Sequence, residues 1–446
     1  MATDTPASYR SLVIYEIYVR NHGPNGNFAD VEVDLPRIRS MGVDVAWFMP
    51  IHPIGQVERK GSRGSPYSIA DYREINPEYG TKADFKHLIE TAHGLGLKVM
   101  IDVVYNHTAH DSTLVKQHPD WFHQDAEGHA VTTVPDWADV IDLRHPNTEL
   151  SDYLIDCLKD WAEFGVDGFR CDVASVVTVD FWVKARGEVA RVKPGVIWLA
   201  ESVHAEFIVG RRRNGLLAQS DSEVFQAFDL EYDYDIWPGW QAAVVNSAQL
   251  ARYTDLVKFQ EVIYPANYVK MHCVENHDNP RIMRLAPSYS QALAWTAFQA
   301  FNKGAFLIYG GQESGAKHTP SLFEIDKVEW GSYPLQPFLT RLAKLKKDPA
   351  LQNGNFYLLE NKQSLQAAWM AEAGGLYGIF NTGKIDGEAA VQLPDGTYSN
   401  LLDDQPVMVK DGRMAIPQSA AIVHCAPIKD LKALQSDFYE FRVAPE

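Results

Sequence analysis

Gly168-Phe169-Arg170-Cys171-Asp172 is a short, mostly apolar run that ends on a carboxylate, and the pattern recurs along the chain. Leu199-Ala200-Glu201-Ser202 closes the run 196–200 in the same way. Glu275-Asn276-His277-Asp278-Asn279-Pro280-Arg281 follows the run 268–274, and Asp102-Val103-Val104-Tyr105-Asn106-His107 ends another one upstream. Runs of this length, apolar on both faces, read as strands buried in a parallel sheet. The intervals between them leave room for helices.

Working outward, strand-like runs occupy 13–18, 45–51, 98–105, 168–173, 196–200, 224–230, 268–274 and 305–309. Helical periodicity marks 30–41, 82–95, 147–164, 181–192 and 291–302, with Thr81 and Asn147 or Thr148 as N-caps. Eight strands alternating with helices predict an α/β fold, a closed (β/α)8 TIM barrel. A doubly wound open sheet fits less well, because polar residues end several strands instead of gathering at one switch point. The segment 108–144, rich in His, Asp and Trp, is longer than a strand-to-helix loop needs and reads as a small inserted domain over the barrel mouth. The barrel then comprises 1–107 and 145–350. Beyond it, short runs at 356–359, 367–370, 376–380, 389–393, 407–409 and 421–424, separated by Gly, Asn and Asp turns, predict a C-terminal antiparallel β-sandwich domain over 351–446. Residues 429–446 read as a helix or a tail.

A length of 446 residues suits a large barrel with a smaller companion, and a hydrophobic fraction of 46% can fill both cores. A formal charge of −17 repels nucleic-acid phosphates and anionic membrane surfaces, while neutral ligands such as sugars are compatible with it. No stretch approaches the ~20 apolar residues that span a bilayer, and the first residues carry no apolar signal region. Cys157, Cys171, Cys273 and Cys425 show no paired spacing, which favours buried free thiols. A cytoplasmic protein that binds neither nucleic acid nor membrane is therefore expected.

Active sites of parallel barrels form at the carboxyl ends of the strands, so Asp172, Glu201 and Asp278 should face one pocket. Two carboxylates flanking an acetal divide the labour of glycoside cleavage, one attacking carbon and the other protonating the leaving oxygen. The third can tune its neighbours by like-charge repulsion. Arg170 faces the same side as Asp172 and should keep it ionised. A single Asp at a strand end is usually a turn residue; four such segments in order argue for a site. Asp102 lies inside its strand and is expected to make structural hydrogen bonds. Of Trp47, Trp121, Trp137, Trp237 and Trp240, at least half should be packing. His107, His110, His118 and His123 match no common zinc spacing.

In this order and on these strands, the four segments resemble the α-amylase family of glycoside hydrolases over nearly the whole chain. The resemblance implies Asp172 as nucleophile, Glu201 as general acid and base, and Asp278 as stabiliser of the distorted sugar. It implies substrate contacts from His107, Arg170, His277 and Arg281, with Arg170 also supporting Asp172, and a sugar-stacking Tyr67 in Pro66-Tyr67-Ser68-Ile69-Ala70-Asp71-Tyr72. Asn106 corresponds to a family calcium ligand, so a structural calcium is implied, although no cofactor enters the chemistry. The chain departs from the family where a Lys-His pair commonly follows the nucleophile strand: here stand Ser175 and Val176. The implied activity is retaining hydrolysis of α-1,4-glucosidic bonds in maltodextrins or other α-glucan oligosaccharides. A glucanotransferase, an α-glucosidase or a sugar isomerase shares the fold, and a non-catalytic sugar-binding relative is the alternative from another class.

Overall fold

The computed structural model describes residues 4–359 and 364–432. Its central element is a closed parallel barrel. The strands are Val13–Ile17, Val45–Phe48, Lys98–Val103, Gly168–Cys171, Ile197–Ala200, Leu230–Tyr232, Lys270–His272 and Gly304–Tyr309. Each pairs with the next, and the eighth closes on the first with Val13 opposite Phe306. Apart from Lys98, every strand residue is buried, as a barrel wrapped in helices requires.

The helix Thr148–Phe164 illustrates how the outer layer forms. Asn147 accepts a hydrogen bond from the Leu150 N–H, and Leu150, Leu154, Leu158 and Trp161 recur on one face and are buried. The helix stops at Gly165, whose φ of 128° is open to glycine and costly for other residues. Thr81 and Asp84 make a full capping box for Lys82–Gly94.

The sixth strand corrects the sequence expectation for 224–230. Ser220 and Glu223 form a capping box that starts a helical turn, Asp221–Val224, and the strand begins only after Asp229. The Asp229 carboxylate takes the Trp198 N–H (2.9 Å) and pairs with Arg186 (2.7 Å), fixing where pairing starts. The third and seventh strands are also shorter than expected, ending at Val103 and His272. Functional side chains sit on the irregular residues just beyond.

Between strands three and four, His107–Thr108 pairs antiparallel with Ile141–Asp142. This small sheet anchors the excursion and fixes His107 at its base. After the barrel come two antiparallel four-stranded sheets. One holds Asn355–Leu358, Leu365–Ala371, Gly374–Phe380 and Ala420–Cys425; the other holds Glu388–Ala390, Gly396–Ser399, Pro406–Lys410 and Arg413–Ala415. The helix or tail expected over 429–446 falls almost wholly outside the described residues. All four cysteines are free, and among the described residues no helix is long and apolar enough to cross a membrane.

Candidate active site

A cavity of about 400 Å³ opens at the carboxyl ends of the strands, lined by Tyr67, His107, Asp172, Glu201, His277 and Asp278 among others. Barrel closure brings these side chains together from the ends of strands three, four, five and seven and from the loop after strand two.

Arg170 organises the floor. Its side chain is fully buried; Nη1 donates to both Asp102 oxygens (3.0 and 3.1 Å) and to Asp172 Oδ1 (2.8 Å). Nε donates to the Tyr232 hydroxyl (3.2 Å). Nη2 lies 3.1 Å from Glu201 Oε2 but without hydrogen-bond alignment, so that contact is an ion pair rather than a bond. Glu201 Oε2 instead accepts the Val173 N–H at 2.8 Å. Val173 has a φ of 37°, strained for a β-branched residue, and the distortion aims that N–H at the acid. Arg170 therefore sits beneath the carboxylates and off the pocket wall, which corrects its assignment as a substrate contact.

Asp278 and His277 form a second pair. His277 Nε2 lies 3.2 Å from Asp278 Oδ2 and 2.7 Å from the Tyr67 hydroxyl, while Nδ1 is held by buried Glu16. Tyr67 stacks on the His277 ring (5.4 Å, 17°) and donates to Asp102 Oδ2 (3.1 Å). His107 Nε2 stands 3.9 Å from Asp172 Oδ2.

These environments push the acids apart. Burial, opposed by Arg170 and reinforced by Asp172 and Asp278, raises Glu201 to about 7. Burial likewise raises Asp172, and Arg170 only partly offsets it. Asp102 is lifted by burial to about 8. For Asp278 burial also acts upward, but the adjacent His277 outweighs it and the carboxyl lies below its usual range. His277 is in turn raised by Asp278 and Glu16 against its own desolvation.

Arg281, expected to reach the substrate, points away. It is fully buried, pairs with Glu275 (2.7 Å) and donates to the Gly310 and His318 carbonyls, tying the seventh loop to the eighth. A buried guanidinium needs several acceptors, and it finds them there. The Asn106 side-chain amide faces His107 Nδ1 (3.1 Å), and its backbone carbonyl accepts the Leu143 N–H (2.8 Å). Nearby Asp142 is engaged by Thr133 N (2.9 Å), whose hydroxyl takes the Arg211 guanidinium (3.0 Å). Calcium takes six to eight oxygens; no group of three or more His, Cys, Asp or Glu converges on a metal position among the described residues.

Sequence reasoning missed Lys60, Asp139, Val203, His204, Phe207, Tyr234, Leu322 and Phe323, all at the pocket wall. All but Phe207, which lies in the helix Ala205–Arg213, sit on loops without periodicity. Glu16 did leave a signal: a carboxylate inside an otherwise apolar, fully buried strand. Of the five tryptophans singled out, Trp137 lines the pocket, while Trp47, Trp121, Trp237 and Trp240 are buried.

Residues 19–353 match the family described as alpha amylase, catalytic domain, and residues 357–423 match the bacterial alpha amylase C-terminal domain. An α-amylase from Lactobacillus plantarum is 42% identical, with a TM-score of 0.90 over 94% of this chain and 99% of that one. A noncanonic maltogenic α-amylase from Thermotoga neapolitana is 32% identical, with a TM-score of 0.83 over 94% of this chain and 100% of that one. An α-1,4-glucan:maltose-1-phosphate maltosyltransferase from Cereibacter sphaeroides is 32% identical over 50% of this chain and 39% of its own length. The chain spans about half the length of the curated relatives it matches, or less. With the catalytic-domain match spanning residues 19–353, which include all three carboxylates, the chain belongs to the α-amylase family.

Proposed function

We propose that this chain is a retaining glycoside hydrolase that cleaves α-1,4-glucosidic bonds in maltodextrins, with α-glucan oligosaccharides as its substrates. The observation that carries the reading is the single buried guanidinium of Arg170 touching both Asp172 and Glu201. It draws the two carboxylates together, toward the spacing of about 5 Å at which one attacks carbon directly instead of through a water. Asp172 attacks the anomeric carbon and forms a β-glycosyl-enzyme. Glu201, protonated below a pKa of about 7, donates to the leaving oxygen and then takes the proton of the incoming water. Its Oε2 is committed to Val173, which leaves Oε1 for the proton. Asp278, ionised beside His277, steadies the positive charge on the sugar ring, while Tyr67, stacked on His277, lines the pocket beside it.

One observation favours transfer as a second outcome of the same intermediate. Where the family's Lys-His pair commonly stands, Ser175 and Val176 leave the leaving-group side without their charge, and Val173, Val203, Phe207 and Trp137 line it with apolar surface. The maltosyltransferase relative is consistent with that outcome. Maltoheptaose at neutral pH, followed chromatographically, tests both. Only shorter products mean hydrolysis, longer products mean transfer, and an unchanged substrate overturns the reading. Asp172→Asn should lower turnover by at least about 10³-fold; a variant that keeps most of its activity removes Asp172 from the nucleophile role.

A further inference from the structure

We propose that the sugar-binding side of the pocket is a closed end, so that the enzyme attacks α-glucan chains from their non-reducing ends and releases a glucose- or maltose-sized unit. The inference rests on the assignment of Asp172 and Glu201 above. Glu201, as the acid, marks the direction in which the leaving group departs, and it ends the fifth strand. The pocket wall on that side is formed by Val173, Val203, His204, Phe207, Tyr234 and Asn279, joined by neutral contacts: His204 Nδ1 lies 3.1 Å from the Tyr234 carbonyl, and Asn279 Nδ2 donates to the Tyr234 hydroxyl (3.0 Å).

The opposite rim is built differently. It lies over strands eight, one, two and three, which barrel closure places side by side. Three separate segments meet there: Lys60 and Ser65 after strand two, Asp139 in the excursion, and Leu322 and Phe323 after strand eight. They are clasped to one another. Lys60 Nζ reaches Asp139 Oδ1 (2.8 Å) and the Asp136 carbonyl (2.7 Å), joining the second loop to the excursion. The Arg63 N–H donates to the Phe323 carbonyl (3.0 Å), and the Ser62 N–H to Glu324 Oε1 (2.9 Å), joining the second loop to the eighth. Beneath them Arg20, only 3% exposed, donates through Nη1 to the Gly64 (2.9 Å) and Leu322 (3.0 Å) carbonyls and through Nη2 to that of Arg63 (3.2 Å).

The seam is also sterically tight. Gly61, at a φ of 65°, approaches so closely that a Cβ there would stand 2.7 Å from the Phe323 Cβ. A groove crossing the molecule would need a gap between these segments, and cross-linked loops around a buried guanidinium supply a wall instead. The cavity of about 400 Å³ lies toward the small end of the 300–1,000 Å³ typical of ligand pockets. That volume suits the end of a chain seated against the Lys60–Asp139 pair, with the rest of the chain leaving past Glu201.

The test uses 4-nitrophenyl α-maltoheptaoside and the same compound with a benzylidene acetal bridging O4 and O6 of its non-reducing-end glucose, compared by chromatographic initial rates. The free substrate should be cleaved, and the blocked one at least 20-fold more slowly. Lys60→Ala and, separately, Glu324→Ala should open the clasp and raise the blocked-to-free rate ratio at least fivefold; the second variant covers the case in which the first does not fold. Equal rates on both substrates with the wild type would overturn the closed end while leaving the hydrolase assignment standing. No cleavage of either substrate would overturn both.

Discussion

Glu201 lines the pocket among other acids, and its raised pKa has a consequence for stability as well as for chemistry. Burial first, then Asp172 and Asp278, hold the carboxyl at about 7, against an ordinary value of 4.5. Between those two values the unfolded chain releases a proton that the folded chain keeps, so stability falls as pH rises through this window. Glu201→Gln removes the titration. The variant should lose turnover yet be more stable than wild type at pH 8 by about 2–3 kcal/mol, with the difference vanishing near pH 4. Denaturant melts of both proteins at the two pH values check this, and a pH-independent difference would contradict it. For the wild type, kcat/KM should decline above pH 7 as the acid loses its proton. At this scale the three carboxylates were legible, because Asp172 and Glu201 each follow directly on a strand and Asp278 stands in a compact polar segment shortly beyond one. Their partners were not: Asp102 and Glu16 look like isolated acids in apolar strands until Arg170 and His277 are seen against them.

Among the elements, the clearest signals came from strongly amphipathic helices with side-chain caps. Asn147 at the start of Thr148–Phe164 accepts from Leu150 N at 3.1 Å. Asn147→Ala should cost about 1 kcal/mol of stability and leave kcat unchanged, since the helix packs outside the barrel; a melt and a rate measurement decide it. The helices Ala205–Arg213, Trp237–Val245 and Leu250–Ile263 went unread for a physical reason. They carry no clean apolar stripe: Ala205–Arg213 buries only Ile208 and Arg211, and Trp237–Val245 is apolar nearly all round. The strands Gly396–Ser399 and Arg413–Ala415 are largely exposed, so the alternation that announces a strand is faint. Strand six was misplaced because Phe225, Ala227 and Phe228 are buried in a turn, and composition does not distinguish that from a strand.

At the scale of the molecule, one face of the first C-terminal sheet continues the barrel's core, while its other face packs on the second sheet in a separate core. Trp369, in the first of those sheets, is fully buried and donates its indole N–H to the Phe301 carbonyl of the barrel helix Tyr289–Phe301 (2.7 Å). Phe380 packs against Phe298 (5.3 Å) and Phe301 (5.5 Å) from the same side. Trp369→Ala should cost about 3–5 kcal/mol and lower one joint calorimetric transition. Two transitions, with only one displaced, would show that the layers fold separately. The sequence by itself determined the alternation of strands and helices, the turn to antiparallel sheets after the barrel, and the three acids, because periodicity and strand-end residues are local patterns. Only the tertiary structure decided which groups meet. His277 rests on Glu16 from 261 positions away, Arg281 turns from the pocket to Glu275 and two backbone carbonyls, and Lys60 locks the second loop to the excursion. Those contacts come from closing the barrel and seating its loops, which brings distant segments together at distances no local pattern records.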